Sequence, residues 1–85
     1  MFSIEYSKDA RKALKSMPRN TARLIVEKIE ALAADPTAPN NNVKKLTNHP
    51  GYRLRVGDWR VVYLLHEQAL VIAVVRIAPR GDVYQ

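Results

Sequence analysis

Apolar and polar residues alternate across residues 2–6, and this spacing predicts a short β-strand. Ser7 follows as a favourable helix N-cap, and apolar residues then recur at i, i+3, i+4 and i+7. This pattern predicts an amphipathic helix that ends at Pro18. A second helix, with a broader apolar stripe, is predicted from between Pro18 and Asn20 to Asp35. Because about two residues separate the helices, we expect an antiparallel helical hairpin.

Residues 36–50 are rich in proline, asparagine and threonine, which predicts a loop. Val43 and Leu46 are the apolar residues expected to hold this loop against the body of the protein. Near the end of the chain, residues 70–77 are almost all apolar and rich in β-branched side chains. This composition predicts a strand in the interior of a sheet.

The most informative stretch lies between them, at residues 52–63, where alternation is interrupted by a Gly-Asp pair at 57–58. This is the signature of a β-hairpin. Pairing across a two-residue turn places Arg55 opposite Arg60, and Arg53 on the same face. Like charges directly opposite each other destabilise a sheet. The pattern therefore predicts that this face binds an anion, and a phosphate is the leading candidate.

The order of elements is β-α-α-β-β-β followed by a short tail. It predicts an α+β domain in which the helical hairpin covers one face of a mainly antiparallel sheet. Leu54, Val61 and Tyr63 are expected on the covered face, so the arginine face stays open. The 85 residues are expected to form one small domain, spanning 1–85.

The net charge of +6 predicts an acidic partner, which is nucleic acid, an anionic surface or an acidic protein. The chain contains no cysteine and two histidines on opposite sides of the hairpin, so we expect no metal and no cofactor. Its apolar runs are too short for a membrane span. The N-terminal residues lack the features of a signal peptide. We therefore expect a cytoplasmic protein without a membrane partner.

The chain resembles the RelE/ParE toxin superfamily of type II toxin–antitoxin systems over its whole length. The resemblance rests on the order of elements, the Lys-Lys-Leu of residues 44–46, the hairpin, and the Arg-Gly-Asp-Val-Tyr of residues 80–84. It implies a toxin that a RelB-like antitoxin holds inactive in a hetero-oligomeric complex. RelE-type members cleave mRNA in the ribosomal A site, and ParE-type members poison DNA gyrase.

Five residues match functional positions of RelE-type members. Arg60 matches the arginine after the hairpin turn, and Arg80 matches the arginine after the last strand. Tyr84 matches the tyrosine near the C-terminus. Arg53 and Arg55 match basic positions that are often lysine in relatives. The resemblance implies that these residues bind the scissile phosphate and assist its transfer.

The chemistry of arginine supports part of this assignment. A guanidinium group holds phosphate oxygens through two parallel hydrogen bonds. Arg55, Arg60 and Arg80 are therefore predicted to form a phosphate clamp for attack by the RNA's own 2′-hydroxyl. Lys44 and Lys45, beside the start of the hairpin, are predicted to bind RNA together with Arg53.

The proton donor and acceptor are less well defined, because arginine stays protonated and cannot act as a base. Tyr84 is a candidate for proton transfer or for stacking on a base. His49 precedes the hairpin and is within reach of the arginines, and Asp82 is a further titratable group. His66 follows the hairpin at its far end and is discounted. Pro79 stands where many relatives have a histidine.

Two further charged features have mainly structural interpretations. Arg76 interrupts the apolar strand and is expected to pair with an acid such as Glu5. The first helix carries a basic face, which is expected to be solvated, with non-specific contact to ribosomal RNA as the alternative. This face consists of Lys8, Arg11, Lys12 and Lys15.

The leading interpretation is a metal-independent, ribosome-dependent mRNA endoribonuclease that leaves a 2′,3′-cyclic phosphate. One alternative is a ParE-like inhibitor of DNA gyrase, for which the arginine patch is dispensable. The other is an inactive relative that retains only antitoxin binding.

Overall fold

The computed structural model describes residues 1–81. Two helices and five strands follow one another as β1 (Ser3–Tyr6), α1 (Lys8–Ser16), α2 (Arg19–Ala34), β2 (Val43–Lys45), β3 (Tyr52–Val56), β4 (Trp59–His66) and β5 (Val71–Pro79). The strands form one sheet in the order β1-β5-β4-β3-β2. The pair β1–β5 is parallel and the other pairs are antiparallel. The predicted α+β fold with a mainly antiparallel sheet is confirmed.

The short edge strand β2 is the main difference from the predicted order of elements. It lies within residues 36–50 and pairs with β3, where Val43 is opposite Leu54. The prediction of a loop is therefore wrong for these three residues. A three-residue strand in an asparagine-rich segment is too short to show alternation. Val43 and Leu46 pack against the body of the protein as predicted.

Ser7 joins the start of α1 to the sheet. Its Oγ accepts a hydrogen bond from the Ala10 N–H at 3.0 Å, which is the predicted N-cap interaction. The same hydroxyl donates to the Val75 carbonyl at 2.9 Å. α1 then ends before Pro18, and α2 begins immediately after it. One side chain therefore satisfies a free helix donor and fixes α1 against β5.

Replacing Ser7 with alanine is expected to lower the free energy of unfolding by about 1–2 kcal/mol, because neither hydrogen bond can then form. Ser16 provides a matched control on the same helix, since its hydroxyl bonds only the exposed Lys12 carbonyl. Ser16→Ala is expected to change the stability by less than about 0.5 kcal/mol. Urea unfolding of the two variants measures the difference. Equal losses of stability would show that Ser7 has no special role.

The core lies between the two helices and one face of the sheet. Ile25, Ile29 and Leu32 of α2 are buried there. The sheet contributes Leu54, Val56, Val61, Tyr63, Ile72, Val74 and Ile77. The helices therefore cover the predicted face of the hairpin. No helix within residues 1–81 is long and apolar enough to cross a membrane.

The opposite face of the sheet carries a smaller apolar cluster around Val62 and Ala78. The register between β4 and β5 shifts at Val62/Tyr63, which places Arg76 opposite Val62. Arg76 thus lies on the helix-free face. Glu5, the partner expected for it, lies in β1 opposite Ala73. The bulge is a long-range feature that the sequence pattern does not reveal.

Candidate nucleic-acid interface

The β3–β4 hairpin has the predicted register, with Arg55 opposite Arg60 and Val56 opposite Trp59. Gly57 has a φ of +58°, and Asp58 has no positive φ. This combination is that of a type II′ turn, which matches the twist of a hairpin. The turn therefore holds the two opposed arginines at the tip of the sheet.

Arg55, Arg60 and Arg80 line one concavity of about 810 Å³, between the hairpin tip and the C-terminal half of α2. We call it the clamp concavity. Arg80 is brought to it because its backbone N–H donates to the Asp58 carbonyl at 2.7 Å. Three residues predicted to form a phosphate clamp are therefore neighbours in the structure.

Two of these arginines are anchored and keep donors available. Arg60 Nη1 donates to the Gly57 carbonyl at 2.9 Å and to the Trp59 carbonyl at 3.0 Å. Arg55 Nη2 donates to Asn42 Oδ1 at 3.1 Å. Neither forms an ion pair within residues 1–81. Since a guanidinium group has five N–H donors, both retain donors for an anion.

The clamp concavity also contains charged residues that the sequence reasoning missed. Lys28 reaches it from α2, Asp35 from the C-cap of that helix, and Asp58 from the hairpin turn. The two carboxylates offset part of the positive charge of the site. Their contribution depends on how α2 packs beside the hairpin, which local sequence spacing does not reveal.

Arg53 lies in a separate concavity of about 730 Å³, although it is on the arginine face that alternation predicts. We call this the second concavity. Lys44, Arg53, Val62 and Arg76 lie opposite one another across β2, β3, β4 and β5. No carboxylate of residues 1–81 lines the second concavity. The Arg53 Nε atom is buried and has no hydrogen-bond partner among residues 1–81. The predicted three-arginine patch is thus divided between two sites.

Lys45 and the tyrosines lie at the end of the hairpin away from the turn. Lys44 and Lys45 pair with Arg53 and Tyr52, which confirms their predicted place beside the start of the hairpin. Lys45 Nζ lies 5.4 Å from the centre of the Tyr52 ring, in a cation–π contact. Tyr52 in turn stacks on Tyr63 at 5.5 Å between ring centres.

Two of the described tyrosines, Tyr6 and Tyr63, are poor candidates for a general base. Burial, with a smaller contribution from Tyr52, raises the pKa of Tyr63 to about 12. Burial and the Glu30 carboxylate also raise the pKa of Tyr6. Both phenols therefore stay protonated at neutral pH. Tyr84, the predicted candidate for proton transfer, lies outside the described residues.

The remaining candidates are placed as follows. His49 lines the second concavity, and its Nδ1 accepts a hydrogen bond from the Gly51 N–H at 2.8 Å. His66 ends β4 opposite Val71, away from the clamp concavity. Pro79 is opposite Trp59. Asp82 lies outside the described residues, as Tyr84 does.

Among residues 1–81, no group of three His, Cys, Asp or Glu side chains is arranged to hold a metal ion.

The fold is that of small toxins from toxin–antitoxin pairs. The family model "ParE toxin of type II toxin-antitoxin system, parDE" matches residues 4–84. The chain belongs to this family. A protein of Methanocaldococcus jannaschii that bears the name RelE1 is 29% identical, over 99% of this chain and 96% of the relative.

Solved structures agree with this assignment. The chain is similar to the archaeal RelE–RelB complex from Pyrococcus horikoshii, with 30% identity, 96% of this chain and 98% of that chain covered, and a TM-score of 0.81. It shares 24% identity and a TM-score of 0.72 with the RelB–RelE complex of Methanococcus jannaschii, over 95% of each chain. The isolated E. coli RelE toxin shares the fold, with 16% identity and a TM-score of 0.79. The match covers 99% of this chain and 92% of that chain.

Proposed function

We propose that the protein is a RelE-type mRNA endoribonuclease that cleaves mRNA on the ribosome and thereby inhibits translation. The observation that carries this proposal is the convergence of Arg55, Arg60 and Arg80 in the clamp concavity. Three guanidinium groups in one depression suit an RNA phosphodiester, whose negative charge increases toward two in the transition state, better than an apolar protein surface.

The proposed reaction is transfer of the phosphate to the neighbouring 2′-hydroxyl of the RNA. The 2′-oxygen forms a bond to phosphorus, the bond to the 5′-oxygen breaks, and the products are a 2′,3′-cyclic phosphate and a 5′-hydroxyl. The proton released by the 2′-hydroxyl goes to a base, and an acid returns one to the leaving oxygen. In the transition state, negative charge grows on the phosphate oxygens, and Arg55, Arg60 and Arg80 stabilise this charge.

The residues of the proposed site have separate roles. Arg60 is held over the hairpin turn by two carbonyls, so it is already oriented for the transition state. Arg53, Lys44 and Lys45 bind the mRNA backbone beside the scissile phosphate. Tyr84, whose role is implied by the family resemblance, transfers a proton or stacks on a base.

An antitoxin is the proposed partner besides the ribosome. The similar structures from P. horikoshii and M. jannaschii are complexes with RelB. We infer that a RelB-type antitoxin with acidic residues binds this toxin in the cytoplasm, in a hetero-oligomeric complex. Neutralising the clamp concavity would then prevent it from binding phosphate.

Primer extension on mRNA from cells that briefly express the protein tests the proposed reaction. Discrete cuts within translated codons are the expected result. Polynucleotide kinase removes a cyclic phosphate from the 3′ ends of the upstream fragments, which identifies this product. The same cuts should appear with purified ribosomes and mRNA in a buffer that contains the magnesium needed for ribosome assembly. Intact mRNA under both conditions would contradict the proposal.

A ParE-like inhibitor of DNA gyrase is the second candidate, because the matching family model is that of the ParE toxins. In that case the protein would trap gyrase on cleaved DNA, and the mRNA would stay intact. A gyrase cleavage assay with purified enzyme and plasmid separates the two activities. An inactive relative would give neither signal and would still bind the antitoxin.

A further inference from the structure

The exposed face of α1 carries a basic stripe outside the proposed catalytic site. Its four cations follow the spacing i, i+3, i+4 and i+7, so they lie on one side of the helix. With Tyr6, they line a concavity of about 650 Å³. The stripe consists of Lys8, Arg11, Lys12 and Lys15, and each of the four is exposed.

The stripe is not neutralised by the rest of the described chain. None of its four cations forms an ion pair within residues 1–81. The Glu30 carboxylate is close enough to raise the pKa of Tyr6, but it does not pair with these cations. Like charges at i, i+3 and i+4 destabilise a helix, and α1 has only nine residues. Within residues 1–81 the stripe therefore has no ion-pair partner that would offset this repulsion.

The stripe is also separate from the clamp concavity. α1 packs on β5, near the β1 edge of the sheet, whereas the clamp concavity lies between α2 and the tip of the β3–β4 hairpin. The two depressions share no lining residue. A phosphate in the clamp concavity therefore leaves the stripe accessible to a second anionic ligand.

We propose that the α1 stripe binds the phosphate backbone of double-helical RNA. The identification of this RNA as ribosomal rests on the proposed function. Interfaces with nucleic acid are polar and strongly positive, and lysine and arginine make most of the phosphate contacts. The centres of protein interfaces are instead depleted in lysine and contain apolar anchors. The concavity of the α1 stripe offers only one apolar anchor, which is the half-buried ring of Tyr6.

Salt-dependent binding of the purified protein tests the stripe. The probes are a 20-base-pair RNA duplex of arbitrary sequence and isolated small ribosomal subunits. The variant Lys8→Gln/Lys15→Gln removes two charges and keeps the helix-forming side-chain stems. Its matched control is Arg19→Gln/Arg23→Gln, which removes two charges from α2, where Arg23 is four residues from Glu27. Thermal unfolding establishes that both variants fold.

Removing one cation that neutralises a phosphate should lower the slope of log K against log salt by about 0.7–0.9. The α1 variant is therefore expected to lower the slope by about 1.5 and the affinity at low salt by about tenfold, whereas the control stays close to wild type. Equal slopes for the two variants would overturn the proposal. Unchanged RNA binding together with weakened antitoxin binding would also overturn it, because the stripe would then serve a protein partner.

This result is separable from the proposed catalytic activity. If the wild-type protein binds duplex RNA through the stripe but cuts no mRNA, the stripe assignment stands and the endoribonuclease proposal fails. If mRNA is cut and the α1 variant binds both probes as well as wild type, the stripe assignment fails alone.

Discussion

Replacing Arg60 with alanine is expected to lower the rate of mRNA cleavage by about 10²–10³-fold, which is the usual cost of removing one preorganised donor to a developing oxyanion. Arg60 lies in the clamp concavity and is oriented by the Gly57 and Trp59 carbonyls. Its removal takes away stabilisation that the phosphate needs mainly in the transition state. Single-turnover cleavage at saturating ribosome concentration measures this step separately from binding.

The controls separate the geometry of the guanidinium group from its charge. Arg60→Lys keeps the charge but not the planar pair of donors, so we expect an intermediate rate. Arg19→Ala removes one exposed cation at the start of α2, outside the clamp concavity, the second concavity and the α1 stripe, and should leave the rate close to wild type. The stability cost of Arg60→Ala should be about 1 kcal/mol, because the side-chain hydrogen bonds that it removes are at the surface. A cleavage rate within twofold of wild type would exclude Arg60 from the chemistry.

Arg53 provides a further comparison with Arg60, because the two arginines lie in different concavities. Arg53 shares the arginine face by alternation, yet it lines the second concavity with Lys44 and Arg76. In the proposed function it holds RNA beside the scissile phosphate. An Arg53 substitution should therefore weaken binding more than it slows the bound complex, which is the opposite of the Arg60 effect.

Much of the hairpin was predictable from local sequence. The alternation on both sides of the Gly57-Asp58 pair predicts the strands, the turn and the opposition of Arg55 and Arg60, and the register is confirmed pair by pair. The N-cap at Ser7 and the break at Pro18 were predictable for the same reason. Each depends on the chemistry of a few consecutive residues.

Other features of the site depend on interactions between distant parts of the chain. The bulge at Val62/Tyr63 turns Arg76 to the face of Arg53, and the packing of α2 brings Asp35 to the arginines. No local pattern encodes either arrangement. The separation of Arg53 from Arg55 follows from them, because alternation gives the face of a strand but not the shape of the surface around it.

The packing of α2 therefore connects stability to the site. One side of this helix buries Ile25 and Ile29 in the core, and the other brings Lys28 to the clamp concavity. The Leu54 and Val56 side chains of the hairpin lie in the same core and alternate along β3 with Arg53 and Arg55. Packing between α2 and the hairpin thus positions the cationic residues as well as excluding water.

Ile29→Ala is the substitution expected to test this connection most strongly. Ile29 is fully buried, with an exposed fraction of 0%, so its truncation should lower the free energy of unfolding by about 2–5 kcal/mol. That is a large share of the roughly 5–15 kcal/mol that stabilises a typical domain. Leu24 is the matched control on the same helix, since its exposed fraction is 46%. Leu24→Ala should cost less than about 1 kcal/mol.

Urea unfolding measures both variants, and an unchanged m-value would show that the Ile29→Ala effect is on stability rather than on compactness. Ile29→Val, which removes one methyl group, should fall between them at about 0.5–1.5 kcal/mol. A decrease below about 1 kcal/mol for Ile29→Ala would contradict tight packing of α2 on the sheet. Because α2 and the hairpin form the clamp concavity together, the site exists only in the folded protein, and the total cleavage activity of Ile29→Ala should decrease in parallel with the amount of folded protein.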